Sequence, residues 1–236
     1  VSITDAQVLF AAQLLGASIM AAPAGMVLSK ILLPETGTPV TLGRVQVPKD
    51  KNASNLIDAA ASGASDGMQL ALNIAAMLLA FIALIALSNY LLGLLGRIGD
   101  LNGFLTESFG KPLSLELLFG LVLQYIAFGI GFPWAESFAV GSLMGSKLVL
   151  NEFVAYLEMS EMLRSGVLYS DKAITMAAFA LCGFANFSSI AILMGGLGPL
   201  APSRRKDISR LGLRALLGGT LATMMTAAIA GILTGF

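Results

Sequence analysis

The sequence predicts an all-α polytopic membrane protein, in which transmembrane helices are joined by a re-entrant helical hairpin and a broken helix. The 236 residues are 56% hydrophobic and only 12% charged, and the mean hydropathy of +0.84 is far above that of ordinary soluble domains. Several uncharged runs reach the roughly 20 residues that a helix needs to cross a bilayer. Two polar islands inside apolar regions predict irregular backbone at membrane depth.

The composition excludes several classes of function. The net charge is zero, so no basic excess points to nucleic acid as a partner. The chain has no histidine, which is the commonest metal ligand and the usual general base. Its single cysteine, Cys182, cannot form an intrachain disulfide and is expected to be a small buried apolar residue. We therefore expect neither metal catalysis nor a histidine-dependent triad, and we assign no metal ligand and no catalytic residue.

Uncharged runs divide the chain into predicted segments. Ala6–Ser29, Gly67–Leu95 and Ala215–Phe236 each read as a membrane span. The glycine-rich stretch Leu117–Ala135 could span the membrane, lie at its interface or line a cavity. The predicted segments are a transmembrane helix at 1–33, a cytoplasmic loop with an interfacial helix at 34–66, a long scaffold helix at 67–98, an outer loop with an interfacial helix at 99–132, a re-entrant hairpin at 133–165, a broken transmembrane helix at 171–202 and a final transmembrane helix at 203–236.

The basic loops predict the orientation of these segments. Loops rich in lysine and arginine face the cytoplasm, and two such loops follow the first span and precede the last one. Their basic residues are Lys30, Arg44, Lys49, Lys51, Arg204, Arg205, Lys206, Arg210 and Arg214. The chain between the two loops must then cross the membrane an even number of times. Residues 114–163 must then add zero or two crossings. The part of this region after Pro133 carries too many charges for lipid-facing helices, so we expect a hairpin that enters and leaves from the outer side, with its tip near Asn151.

The two polar islands are "NEF" at Asn151–Phe153 and "FANFSS" at Phe184–Ser189. Asparagine and serine side chains bond to nearby backbone and readily open a helical turn, so the second island predicts a broken helix. Half-helices of this kind form substrate sites in many secondary transporters. Glu136, just after Pro133, is expected to be a first-turn acid that is stabilised by its own helix dipole.

Each island also has a purely structural interpretation. Asn186, Ser188 and Ser189 could do no more than bond between neighbouring helices. Glu152 could form an ion pair with Lys147, although a separation of five residues is not the i, i+4 spacing that places two side chains together on a helix. We favour a carboxylate that faces a cavity.

Four stretches of the chain, two of which contain the polar islands, resemble the concentrative nucleoside transporters. The run "GSKLVLNEFVAY" at Gly145–Tyr156 fits that family's signature of a small residue, a spaced lysine and then Asn-Glu-Phe-Val-Ala before an aromatic residue. The stretches "NASNLIDAAASGASDGMQLALN", "FALCGFANFSSIAILMGGLGPLAP" and "RRKDISRLG" are also similar to bacterial members. The resemblance covers nearly the whole chain.

The resemblance implies a homotrimeric, multi-pass symporter of the bacterial inner membrane, with an elevator-like transport domain that moves against a scaffold. Its nucleoside site would lie between two hairpins and two broken helices. By this resemblance Glu152, Asn186 and Ser189 contact the ribose, Phe184 lies beside the base, and Leu70 forms part of an apolar wall. A carboxylate and a carboxamide suit vicinal hydroxyls, and an aromatic ring suits a nucleobase.

Nothing in this sequence matches the family's first hairpin and first broken helix, which hold the coupling ion and recognise the nucleobase. We therefore expect a C-terminal portion that begins mid-protein at Val1, with its sodium or proton site outside the chain. The expected partners are nucleosides, the lipid bilayer, the N-terminal part of the transporter and further copies of it. The alternatives are a membrane-embedded hydrolase with Glu152 as general base, a symporter for another polar solute, and a structural scaffold. The hydrolase would lack a histidine and a nucleophile motif.

Overall fold

A computed structural model shows the chain as an assembly of packed helices. It describes residues 3–38, 43 and 54–234, and within these ranges there are nine α-helices and no strand. The helices are α1 (Ile3–Leu32), α2 (Leu56–Leu95), α3 (Leu101–Phe109), α4 (Leu115–Gly129), α5 (Trp134–Val149), α6 (Glu152–Arg164), α7 (Asp171–Leu181), α8 (Phe187–Leu200) and α9 (Arg205–Leu233). The predicted all-α fold class is confirmed.

Within the described part of the chain, three helical segments are long and apolar enough to cross a membrane, namely Phe10–Leu32, Leu56–Leu95 and Pro202–Leu233. Helix α2 has 40 residues, which corresponds to about 60 Å, or twice the thickness of a hydrocarbon core. Only 6% of its most apolar window is buried against the rest of the chain. Such an apolar and exposed surface fits a lipid environment.

Helix α2 begins earlier than the sequence indicated. Residues 56–66, which we expected as a separate interfacial helix, are its first turns, because no proline interrupts this alanine-rich run. The Asn55 side chain caps it by accepting a bond of 2.9 Å from the Asp58 amide. Of the basic residues in the preceding loop, Arg44, Lys49 and Lys51 lie outside the described residues.

Helices α4 and α5 pack with their backbones almost in contact. A Cβ atom added at Gly141 would lie 2.5 Å from the backbone nitrogen of Gln124, and one added at Gly145 would lie 2.6 Å from the carbonyl oxygen of Glu116. Only glycine fits such a close approach. The 15 residues of α4 extend about 22 Å, less than the hydrocarbon core, so the stretch that the sequence left open is a short helix packed along α5.

Helices α5 and α6 form an antiparallel hairpin that turns at Leu150 and Asn151. At the open end Glu136, fully buried, accepts hydrogen bonds from the backbone amides of Tyr169 at 2.7 Å and Ser170 at 3.0 Å, and from the Ser170 hydroxyl. Glu136 thus binds the start of α7, whereas we expected it to interact with the dipole of its own helix, α5. Both ends of the hairpin therefore lie together, while its re-entrance into a membrane stays a prediction.

Helices α7 and α8 lie antiparallel to α9 along most of its length. The facing pairs are Met176 with Gly231, Ala185 with Gly219 and Ile190 with Gly212. The two helices thus follow one another like a single span that is interrupted near its middle.

The interruption lies between Leu181 and Phe187. Cys182 leaves the helical conformation with φ −71° and ψ 110°, and Gly183 has a φ of +134°, which L side chains rarely adopt. The Cys182 sulfur is half-buried against α1, 3.7 Å from the hydroxyl oxygen of Ser18. The broken helix is therefore part of the structure, as the sequence predicted.

Candidate functional site

A cavity of about 530 Å³ opens between α2, the tip of the hairpin and the break that precedes α8. We call it the hairpin cavity. Its walls are mostly apolar and include a few polar groups, which is typical of small-molecule sites in this size range. The lining residues are Leu78, Ile82, Ile85, Ala86, Asn89, Leu150, Asn151, Glu152, Phe153, Val154, Phe184, Asn186, Ser188 and Ile192.

Glu152 is the first residue of α6 and lies half-buried at the hairpin tip. The preceding Asn151 caps the helix, since its side-chain oxygen accepts a bond of 2.9 Å from the amide of Val154. The positive end of the helix dipole stabilises a carboxylate at this position. This placement explains how an acidic residue is tolerated in such an apolar run.

Asn186 occupies the equivalent position before α8 and is only 3% exposed. Its side-chain oxygen accepts a bond of 2.8 Å from the Ser189 amide, and its own backbone amide donates to the Ser189 hydroxyl at 3.4 Å, which completes a capping box. Its side-chain nitrogen lies 3.5 Å from a carboxylate oxygen of Glu152. Asn186 therefore caps a helix with one end of its amide and faces Glu152 with the other.

The starts of α6 and α8 thus face the same cavity, each capped by an asparagine. Because the caps are neutral, Glu152 supplies the only negative charge among the lining residues of the hairpin cavity. At 3.5 Å its contact with Asn186 is at the long limit for a hydrogen bond. The carboxylate keeps acceptor capacity, and the site can receive hydrogen bonds from the hydroxyls of a neutral solute.

Phe184 separates the hairpin cavity from a second one. Its side chain is 75% exposed and lines both the hairpin cavity and a cavity of about 440 Å³ between α1, α9 and the break. Ser189 lines the second cavity. The structure therefore brings Glu152, Phe184 and Asn186 to one cavity, and Ser189 contacts that group through the capping box.

Leu70, the fifth predicted site residue, lines neither cavity. It lies on α2 eight residues before Leu78, which is about 12 Å along the helix axis. A larger cavity of about 630 Å³ lies beside Lys30 and Arg214, between the end of α1 and the first half of α9. It contains none of the predicted site residues, so we assign the candidate site to the hairpin cavity by its polar groups and not by volume.

The ion pair between Glu152 and Lys147, which was the structural alternative for Glu152, is not present. The Lys147 ammonium donates to the carbonyl oxygen of Ala180 at 2.8 Å and to the hydroxyl oxygen of Thr223 at 3.0 Å. Lys147 is only 3% exposed. The carboxylate at the hairpin tip is therefore not neutralised by a direct salt bridge.

Sequence reasoning missed Asn89, a polar wall residue of the hairpin cavity. Its amide nitrogen donates to both carboxylate oxygens of Glu116, at 2.9 and 3.0 Å, and its oxygen accepts a bond of 2.9 Å from the Leu115 amide. It joins α2 to the start of α4. The available signal was an asparagine within an uncharged span, where polar residues are costly.

The described part of the chain contains no group of three or more histidine, cysteine, aspartate or glutamate residues that could hold a metal ion. The hairpin cavity has a few polar groups among mostly apolar walls. A helical hairpin that faces a broken helix across such a cavity, among helices long enough to cross a bilayer, is an arrangement typical of secondary transporters.

Residues 13–231 of the chain match the protein family described as "Na+ dependent nucleoside transporter C-terminus". The chain belongs to this family, as its resemblance to the concentrative nucleoside transporters indicated. The family is one of transporters and not of enzymes, so the hydrolase alternative is not supported.

Relatives and solved structures agree with this assignment. The chain is 53% identical over 220 residues to "Uncharacterized transporter YutK" of Bacillus subtilis, covering 93% of this chain and 52% of that protein. It is 43% identical over 224 residues to "Nucleoside permease NupC" of Helicobacter pylori, covering 94% and 51%. A substituted form of CNTnw in an outward-facing state is 41% identical with a TM-score of 0.79, covering 99% of this chain and 54% of that one. The chain spans about half the length of these relatives.

Proposed function

We propose that this chain forms the C-terminal part of a cation-coupled transporter that takes up nucleosides across the bacterial inner membrane. The observation that carries the proposal is the meeting of Glu152, Asn186 and Phe184 at one cavity of about 530 Å³. The carboxylate accepts bonds from vicinal hydroxyls of a ribose, and the amide of Asn186 donates to one of them. The exposed ring of Phe184 offers a face or an edge to a nucleobase.

Ser189 acts in this proposal through Asn186. The Ser189 hydroxyl donates to the Asn186 carbonyl oxygen at 2.6 Å and accepts from its amide at 3.4 Å. It therefore fixes the backbone from which the Asn186 side chain extends. A direct bond from Ser189 to the ribose needs a substrate that reaches past Phe184 into the second cavity.

Leu70 fits the proposal if the hairpin and the broken helix slide along α2. A displacement of eight residues, about 12 Å towards the start of α2, would bring Leu70 to the place that Leu78 occupies in this structure. Such a slide is the elevator-like movement of alternating access. Leu70 would then form the cavity wall in one state of the cycle and Leu78 in another.

Structures of CNTnw support a movement of this kind, since they are described as outward-facing, intermediate and inward-facing substrate-bound states. The TM-score is 0.79 with the outward-facing form and 0.67 with the inward-facing substrate-bound form. We infer that this structure is nearer to the outward-facing end of the cycle.

The complete transporter would need parts that this chain does not supply. We propose that the N-terminal part provides the coupling-ion site, for sodium or protons, and the remaining cavity wall. We further propose a homotrimer embedded in the lipid bilayer. The exposed apolar surface of α2, of whose most apolar window only 6% is buried, suits a scaffold helix at the interface with lipid or with another copy.

Calorimetric titration of the full-length protein in detergent tests the proposed substrate. Uridine should bind, whereas ribose should bind far more weakly because it lacks the base that packs on Phe184. Uptake of labelled uridine into proteoliposomes, driven separately by sodium and by proton gradients, then identifies the coupling ion. Equal binding of uridine and ribose would favour the alternative, a symporter for another polar solute.

A further inference from the structure

Lys147 lies in the last turn of α5, close to the hairpin tip, and is almost completely buried. Its ammonium has two hydrogen-bond acceptors, the carbonyl oxygen of Ala180 on α7 and the hydroxyl oxygen of Thr223 on α9. The Thr223 hydroxyl donates its own proton to the carbonyl oxygen of Thr220 at 2.9 Å. Its lone pairs are therefore free to face a cation.

No carboxylate among the described residues forms a salt bridge with this ammonium. The salt bridges of the described residues involve Lys30, Lys111 and Arg204. A buried ammonium is costly unless other groups replace its hydration. The negative end of the α7 dipole, with one carbonyl and one hydroxyl oxygen, supplies that replacement. Secondary transporters hold alkali cations with such oxygens at the ends of half-helices.

The hairpin also binds the end of α7 through Tyr156, on its second helix. The Tyr156 hydroxyl donates to the carbonyl oxygen of Ala178 at 2.8 Å, and the Cys182 amide donates to the carbonyl oxygen of Phe179 at 3.2 Å. Lys147 binds the next carbonyl group, that of Ala180. Three successive carbonyl groups in the last turn of α7 therefore accept hydrogen bonds. These bonds fix the point at which the chain leaves α7 and turns towards Phe184 and Asn186.

We infer that Lys147 is a tethered cation, whose ammonium occupies a monovalent-cation site at the C-terminal end of half-helix α7 and thereby positions the broken helix for substrate. The inference rests on the proposed function, because the substrate for which the broken helix is positioned is the nucleoside proposed for the hairpin cavity. Lys147 is a positioning residue and does not line that cavity. Removing its side chain leaves a site that a small primary ammonium ion can enter.

Chemical rescue tests this inference in the full-length protein in detergent at constant sodium. Lys147→Ala removes the equivalent of propylammonium. The variant should bind uridine roughly tenfold or more weakly, as expected for the loss of hydrogen bonds to a charged group. Propylammonium chloride should restore much of that affinity and raise the unfolding temperature of the variant. Tetramethylammonium chloride at the same concentration should do neither, because it has no N–H donor.

Tyr156→Phe is the matched control, since it removes an uncharged bond to the same helix end. Any loss of affinity that it causes should not respond to propylammonium. If Lys147→Ala does not fold, Thr223→Val removes one acceptor of the ammonium and keeps the shape and the charge. That variant should bind uridine severalfold more weakly, and an unchanged affinity would overturn the inference.

The inference is also overturned if Lys147→Ala binds uridine like the wild type, or if both salts restore its affinity equally. If the wild type binds no nucleoside, the proposed function fails. The unfolding temperature of Lys147→Ala without nucleoside then still decides the inference. A rise with propylammonium alone supports the cation site, and no rise contradicts it.

Discussion

The side-chain nitrogen of Asn186 lies 3.5 Å from a carboxylate oxygen of Glu152, so the starts of α8 and α6 face each other across the hairpin cavity. A hydroxyl group placed between them can donate to Glu152 and accept from Asn186 at the same time. The long separation makes the direct contact weak. A bound solute can therefore replace it at small cost.

Glu152→Gln should weaken the binding of ribonucleosides more than that of deoxynucleosides. The amide keeps the shape of the carboxylate but loses the charge-assisted bonds to the sugar hydroxyls. Hydrogen bonds to charged groups contribute about 1.5–3 kcal/mol, so we expect a loss of at least tenfold for uridine. Calorimetric titration with uridine and deoxyuridine, for the wild type and the variant, forms a double-mutant cycle.

The matched control is Glu161→Gln, which changes an exposed carboxylate on the same helix, outside the cavity lining. It should leave both affinities unchanged. If Glu152→Gln weakens both ligands equally, the carboxylate does not contact the hydroxyl that distinguishes them, and its role is structural.

Asn186→Ser and Asn186→Ala should separate the two roles of the Asn186 side chain. Serine is also a good N-cap, so Asn186→Ser should preserve stability while it removes the amide that faces Glu152. Alanine removes both functions, and the loss of the cap lowers the free energy of unfolding by about 1 kcal/mol. We expect both variants to lose uridine affinity in titration and only the alanine variant to unfold at a lower temperature.

The corresponding cap on α2 provides the control for this prediction. Asn55→Ala removes an N-cap far along the chain from the hairpin cavity, so it should affect stability without the loss of uridine affinity. Full affinity in Asn186→Ser would show that the amide contributes to the cap alone.

Gly141→Ala should disrupt the contact between α4 and α5. The added Cβ would lie 2.5 Å from a backbone nitrogen of Gln124, and neither backbone can move without separating the helices. Overpacking of this kind typically costs about 1–3 kcal/mol. Gly129→Ala, in which the new Cβ meets nothing within 4 Å, is the matched control and should be tolerated. Unfolding temperatures in detergent measure the effect, and Gly141→Ala should unfold at a lower temperature than Gly129→Ala. Equal unfolding temperatures for the two variants would contradict the tight contact.

The region from α4 to α6 should make no net crossing of the membrane. Ser108 and Ser165 are exposed serines before and after this region, so Ser108→Cys and Ser165→Cys are mild replacements in a protein without Cys182. Both cysteines should react with a membrane-impermeant thiol reagent added to intact cells. Labelling of one of them from the cytoplasmic side alone would disprove a hairpin that enters and leaves on the outer side.

The sequence predicted those features of the fold and site that depend on local patterns. Helix α2 is recognisable because its uncharged run contains no proline, and the break before α8 because Asn186 and Ser189 bond to nearby backbone. The family signature around Glu152 indicated its place at the hairpin tip. Each of these signals lies within a few residues of the feature that it predicts.

The remaining features depend on contacts between distant parts of the chain. Lys147 binds a backbone carbonyl 33 residues away and a threonine 76 residues away, and no sequence pattern marks a carbonyl as a partner. Glu136 was correctly placed near a helix start, but the amides that it binds belong to a different helix. The capping box of Ser189 was also not foreseen, because its geometry depends on how the chain leaves the break.

The close contact at Gly141 packs α4 tightly against the hairpin. This pair is joined to α2 through α3, and left-handed residues flank that short helix, with Gly99 and Asp100 before it and Gly110 after it. The nine residues of α3 span about 14 Å. In the elevator-like movement that we propose, α3 would connect the moving hairpin to α2, and its length is comparable to the proposed displacement of about 12 Å. The length of α3 would then limit how far the substrate cavity can be carried across the membrane in one cycle.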